Sequence, residues 1–266
     1  MSGEDSGWKS WRTGCGYVVF SLLFFLIVAA VVALRPVREA KRVEQDLNDR
    51  FGKATSFTPD FDGSVAPDRV EVFLAVRDHL REPCERFRDR RTRFDELSEM
   101  EEHGQLESKS IFEGLKTAFG GGPDFLHLMR ARNNALSIQG MGIGEYTYIY
   151  VLAYNHQLTE ISGRPEGEKT FKDRTRKELT QVLVNQLAAL ESSRHGDTHQ
   201  QLELDLRTEI SALESGNHIF PWQDELPSHL EASIEPFRDR LDNLFCESTV
   251  RFALRQKNEH PSGLGK

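Results

Sequence analysis

Residues 67–97 read PDRVEVFLAVRDHLREPCERFRDRRTRFDEL, and in them Phe73, Leu80, Phe87 and Phe94 recur at every seventh position, with Val70, Val76, Cys84 and Leu97 beside them. A seven-residue apolar repeat returns to one face of an α-helix after two turns, so the spacing predicts a long amphipathic helix. Pro67 suits its first turn, where an N–H would have no partner, and Pro83 predicts a kink. A helix with one apolar stripe has to cover that stripe, which predicts a bundle. The seam Phe73, Leu80, Phe87 and Phe94, with Arg90 and Arg91 alongside, is the candidate interaction surface. It is intramolecular if it packs the core and intermolecular if the helix projects.

The same period runs on through the chain. A short helix is predicted over 107–119, ended by Gly120, Gly121 and Gly122, and another from Pro123 to Gln139. Gly140, Gly142 and Gly144 then break the chain before the most apolar helix, 145–161. Leu179, Val182, Leu183, Leu187 and Leu190 mark one further stripe, and Leu202, Leu206, Ile210 and Leu213 another. After a loop with Pro221, Trp222 and Pro227, a last helix carries Leu230, Ile234, Phe237, Leu241, Leu244 and Phe252. No strand alternation stands out. The expected fold is all-α: a single N-terminal transmembrane helix followed by an irregular antiparallel helical bundle.

The transmembrane expectation rests on residues 13–34, TGCGYVVFSLLFFLIVAAVVAL, which carry no charge and lie between Arg12 and Arg35. A helix rising about 1.5 Å per residue crosses a hydrocarbon core of about 30 Å with roughly 20 apolar residues. A secretory signal peptide is the rival reading, but the apolar run is longer than a signal core, and Arg35-Pro36 reads as a membrane exit. Arg35, Arg38, Lys41 and Arg42 favour a cytoplasmic domain by the positive-inside rule. A short tail ahead of a first apolar segment favours the opposite. The orientation adopted is a signal anchor with the domain outside the cytoplasm, in the inner membrane of a bacterial envelope. The expected organisation is a polar tail 1–12, the anchor 13–34, a charged juxtamembrane helix and linker 35–66, a helical domain 67–257 and a frayed tail 258–266.

A formal charge of −8 and a pI near 5.7 argue against a nucleic-acid partner, which would call for a basic stripe. Of three cysteines, Cys15 lies at the membrane boundary, leaving Cys84 and Cys246 as a candidate pair. They are either a bridge between helices in an oxidising compartment or two small core residues in a reducing one, the second being the more ordinary outcome.

Four of the five tyrosines, Tyr146, Tyr148, Tyr150 and Tyr154, fall within nine residues. Tyr146, Tyr150 and Tyr154 share a helical face, with Glu145 and His156 nearby. Such a wall can hold a small molecule or lipid through apolar area plus phenol hydrogen bonds. The ordinary alternative is a buried helix whose hydroxyls bond to backbone or to Arg130 and Arg132. Gly140-Met-Gly142-Ile-Gly144 follows a helix and lacks both phosphate-loop spacing and a Walker lysine, so it reads as a turn. Arg86 to Arg93 alternate with acids at i, i+4, which describes a self-paired, solvated face. His195 and His199, around Asp197, have metal-like spacing in a polar loop that would not preorganise ligands, and Asp124 with His127 reads as exposed or capping. No metal site, cofactor motif or catalytic signature is expected.

Arg91-Thr-Arg-Phe94-Asp95, followed by Leu97-Ser98, resembles the RxxFDY signature of membrane-anchored lipase-specific foldases, with Glu96 where that family has Tyr. The resemblance covers this segment alone. It implies a tethered, helical, periplasmic chaperone, while Phe94 also fits the core stripe. The functional expectation is a membrane-anchored, non-catalytic interaction or assembly module with a protein partner, and the bilayer as partner of 13–34. The alternative is a tethered small-molecule or lipid binder, or an atypical enzyme, at the tyrosine helix.

Overall fold

The computed structural model describes residues 24, 38–39, 41–89, 122–163, 173–193 and 199–250. The chain divides into two units, Met1–Arg42 and Val43–Lys266, and the helical bundle lies in the second. The expected anchor apart from Phe24, the expected 107–119 helix, the segment 91–98 and the expected frayed tail 258–266 lie outside the described residues.

Among the described residues every regular element is helical. After α1 (41–51) come a 3-10 turn at Ala54–Ser56, α2 (Pro67–His79) and α3 (81–89). Next in the chain are α4 (Gly122–Gln139), α5 (Ile143–Ala153), α6 (Asn155–Ser162), α7 (Asp173–Ser192) and α8 (Gln200–Ser215). The chain closes with α9 (Ser228–Ile234), a 3-10 turn at Glu235–Phe237, α10 (Arg238–Asn243) and a 3-10 turn at Glu247–Thr249. No helix among the described residues is long and apolar enough to cross a membrane.

The centre of the bundle is α5. Residues Tyr146 to Ala153 are all buried, as expected of a helix apolar all round. It touches α2, α4, α7, α9 and the first 3-10 turn, while α7 and α8 pair along their lengths. Gly216, left-handed at φ 82°, ends α8.

Three breaks depart from the periodicity. The 67–97 helix is interrupted at Leu80 rather than bent at Pro83, because the proline has no N–H for the His79 carbonyl and its ring crowds that oxygen. The 145–161 helix begins two residues earlier and divides at Tyr154. There the Ala153 carbonyl accepts from Arg238 Nη1 at 3.0 Å, and Asn155 Nδ2 donates to the Trp222 carbonyl at 3.0 Å. The last helix divides around Pro236 for the same reason as at Pro83.

The expected linker, residues 52–66, is packed against the bundle. Asn185 Nδ2 donates to the carbonyls of Thr55 and Phe57, both at 2.9 Å, and the Tyr148 hydroxyl donates to the Gly63 carbonyl at 2.7 Å. Leu47 of α1 is 1% exposed, so the core begins upstream of residue 67. Gly144 is what admits this strap: a Cβ there would collide with the Ala54 carbonyl and with Phe57 Cβ. Replacing Gly144 by Ala is therefore expected to lower the unfolding free energy by about 1–3 kcal/mol, measured by urea denaturation. Gly140→Ala meets no atom, so its cost comes only from the left-handed φ of 69°.

Candidate functional site

The i, i+4, i+8 spacing places Tyr146, Tyr150 and Tyr154 in a ladder, with centroids 6.0 Å and 4.9 Å apart. Phe73 of α2 stacks along the ladder, 5.3 Å from Tyr146, and Phe245 closes its end at 5.1 Å from Tyr154. All three tyrosines are fully buried. Into this ladder α2 inserts Arg77, 3% exposed. Its Nη1 donates to the Tyr146 hydroxyl at 3.2 Å and its Nη2 to the Leu244 carbonyl at 2.7 Å. Its guanidinium carbon stands 5.3 Å and 5.4 Å from the ring centres of Tyr150 and Tyr154, a double cation–π contact. Burial opposes the charge, but Tyr146, Tyr154 and Tyr150 outweigh it, so Arg77 is held as the cation. Burial raises the pKa of Tyr150 and Tyr154, in both cases against the pull of Arg77, and keeps both phenols neutral.

A second guanidinium, Arg132 of α4, is also 3% exposed. Its Nε and Nη2 donate to Asn133 Oδ1 at 3.1 Å and 3.0 Å. Burial lowers its pKa, against distant attraction from Tyr146, Glu44 and Glu178. Arg77, Arg132 and Tyr146 together line a cavity of about 20 Å³, completed by Leu80, Cys84, Leu128, Met129 and Thr249.

Cys84 and Cys246 form a disulfide on that cavity's margin, with Cα atoms 6.5 Å apart and 162 residues between them in sequence. Of the two readings the sequence left open, the structure has the bridge. It staples α3 to the segment after α10, near the Leu244 carbonyl that receives Arg77.

The remaining sequence candidates are dispersed. Glu145 faces Arg69 in a bidentate pair at 2.6 Å and 2.7 Å that ties the start of α5 to α2, while His156 is exposed. Neither joins the tyrosines in a common pocket. Phe73 and Leu80 are core residues and Phe87 is half-buried, so the described part of the seam packs within the chain. Phe94, Arg90, Arg91, His195 and Asp197 lie outside the described residues. Among the described residues no three His, Cys, Asp or Glu side chains converge as metal ligands. Arg77 is the residue that periodicity should have exposed. It sits four after Phe73 and three before Leu80, a cation on the apolar face.

On the outer side of α2, a groove of about 720 Å³ runs between α2 and α10. Leu74, Ala75 and Leu244 line it with Glu71, Asp78, Arg81, Glu85 and Arg240. Glu71 takes Arg240 in a bidentate pair at 2.6 Å and 2.9 Å, and Asp78 pairs with Arg81. After α8, His218 bridges Glu209 at 2.8 Å and Asp224 at 3.1 Å. Burial lowers its pKa, but the two carboxylates prevail and raise it.

Comparison with protein-family models, with curated proteins and with solved structures gives no match.

The geometry sets two expected outcomes. Because His218 gains its carboxylate partners on folding, its stabilisation is complete below its ordinary value near 6.5 and is lost as pH rises through its raised folded value. Unfolding free energy measured from about pH 6 to about pH 9 should therefore fall in this window more for the parent than for His218→Gln. Reducing the disulfide, or replacing both cysteines by Ser, should cost about 2–5 kcal/mol in the same assay, as expected for a long closed loop.

Proposed function

We propose that this protein is a single-pass, membrane-anchored helical interaction module whose domain works outside the cytoplasm, in the bacterial envelope, without catalysis. The Cys84–Cys246 disulfide carries the reading, because such bonds form and persist in oxidising compartments and are rare in the cytosol. It agrees with the uncharged run 13–34, which is long enough to cross a hydrocarbon core as a helix. The tether raises the local concentration of whatever the domain binds near the bilayer.

Two features favour interaction over small-molecule binding at the tyrosine helix. The phenols that would form a ligand wall are packed against Phe73, Phe245 and Arg77, and the cavity that Tyr146 lines has room for one water-sized guest. The α2–α10 groove of about 720 Å³ is open, and its size and charged rim suit a peptide or helix face.

Fusing alkaline phosphatase and a green fluorescent protein in turn after Lys266, with maleimide labelling of the cysteines in intact bacteria, tests the reading. Active phosphatase, no fluorescence and Cys84 and Cys246 unlabelled until reduction are expected. Fluorescence with both thiols free would overturn it.

A further inference from the structure

We infer that the cavity between Arg77 and Arg132 is a binding site for one chloride-sized, monovalent anion. Two guanidinium cations, each 3% exposed, line it from different helices. Among the described residues, neither takes a carboxylate as hydrogen-bonding partner: Arg77 is met by a phenol and a backbone carbonyl, and Arg132 by an amide oxygen. Each keeps an unpartnered buried donor, Nε of Arg77 and Nη1 of Arg132. A buried cation is costly unless an opposite charge or a full set of acceptors compensates it.

Size selects the ligand. A cavity of about 20 Å³ matches one guest of water or halide dimensions. Charge selects between the two. A water would satisfy donors but bring no negative charge to two cations that, among the described residues, have no carboxylate in hydrogen-bonding contact. It would also need two to four polar partners in a lining that includes Leu80, Leu128 and Met129. A halide accepts from both guanidinium donors, and from the Tyr146 hydroxyl, whose oxygen already accepts from Arg77 and whose proton is thereby directed elsewhere. The anion joins α2, α4 and α5 beside the Cys84 bridge, so its occupancy is read as stability of the whole domain.

The full chain in mild detergent, exchanged into gluconate at constant ionic strength, is titrated with chloride and with bromide while its Tm is followed. A saturable rise of roughly 5 °C at a hundredfold excess over the dissociation constant is expected. The rise should be absent in Arg132→Met. In crystals of the parent protein soaked in bromide, an anomalous peak should lie between the two guanidinium groups, a readout independent of whether the variant folds. A Tm indifferent to halide, a shift that never saturates, or a crystal with no bromide peak between Arg77 and Arg132 would each overturn the inference.

Discussion

Burial of the Arg77 cation is the constraint around which this domain is arranged. A guanidinium withdrawn from water needs acceptors for its donors and electron-rich surface for its faces. The bundle supplies both from separate stretches of chain: phenol rings and a hydroxyl from α5, and a backbone carbonyl from Leu244 after α10. Each acceptor is fixed by something else. The tyrosine ladder is locked by Phe73 and Phe245, and Leu244 lies two residues from the cysteine bridged to α3. These contacts form only when α2, α5 and the segment after α10 are assembled together, which gives the core a polar specification beyond apolar area.

Around this centre the polar contacts fall at the joints between helices. Arg69 with Glu145 sets the start of α5 against α2, and Arg240 with Glu71 sets α10 against α2. Asn155 and Thr159 hold the loop at Trp222, which has a left-handed φ of 59°, by donating to the Trp222 and Gln223 carbonyls. The half-buried His218 with Glu209 secures the other end of that loop to α8.

Helical class was legible because apolar residues at three-, four- and seven-residue steps have one reading when they extend over many turns. The element order from Pro123 to Gly216 follows that pattern closely. The breaks were less legible. At Tyr154 the interruption comes from Arg238, distant in sequence, capturing the Ala153 carbonyl, which no local pattern reveals. The packing of residues 52–66 was hidden for the opposite reason: Gly, Ser, Thr, Asp and Pro mark turns whether or not the turns lie on a core. Gly144, whose missing Cβ admits Ala54 and Phe57, is one counterpart of that packing, and it resembles any other turn glycine. The tyrosine cluster was visible by spacing, and both its readings were visible too. What the spacing did not reveal is Arg77, which looks like one more arginine in a charged helix until its register with Phe73 and Leu80 is marked.

The most direct measurement is the urea unfolding free energy of Arg77→Lys against the parent. Lysine keeps the charge but cannot reach the Tyr146 hydroxyl and the Leu244 carbonyl at once while lying on two rings. A loss of about 2–4 kcal/mol with a preserved helical spectrum is the predicted result. A change within about 0.5 kcal/mol would mean that a point charge suffices at this position, and would contradict the claim that the shaped guanidinium organises the core.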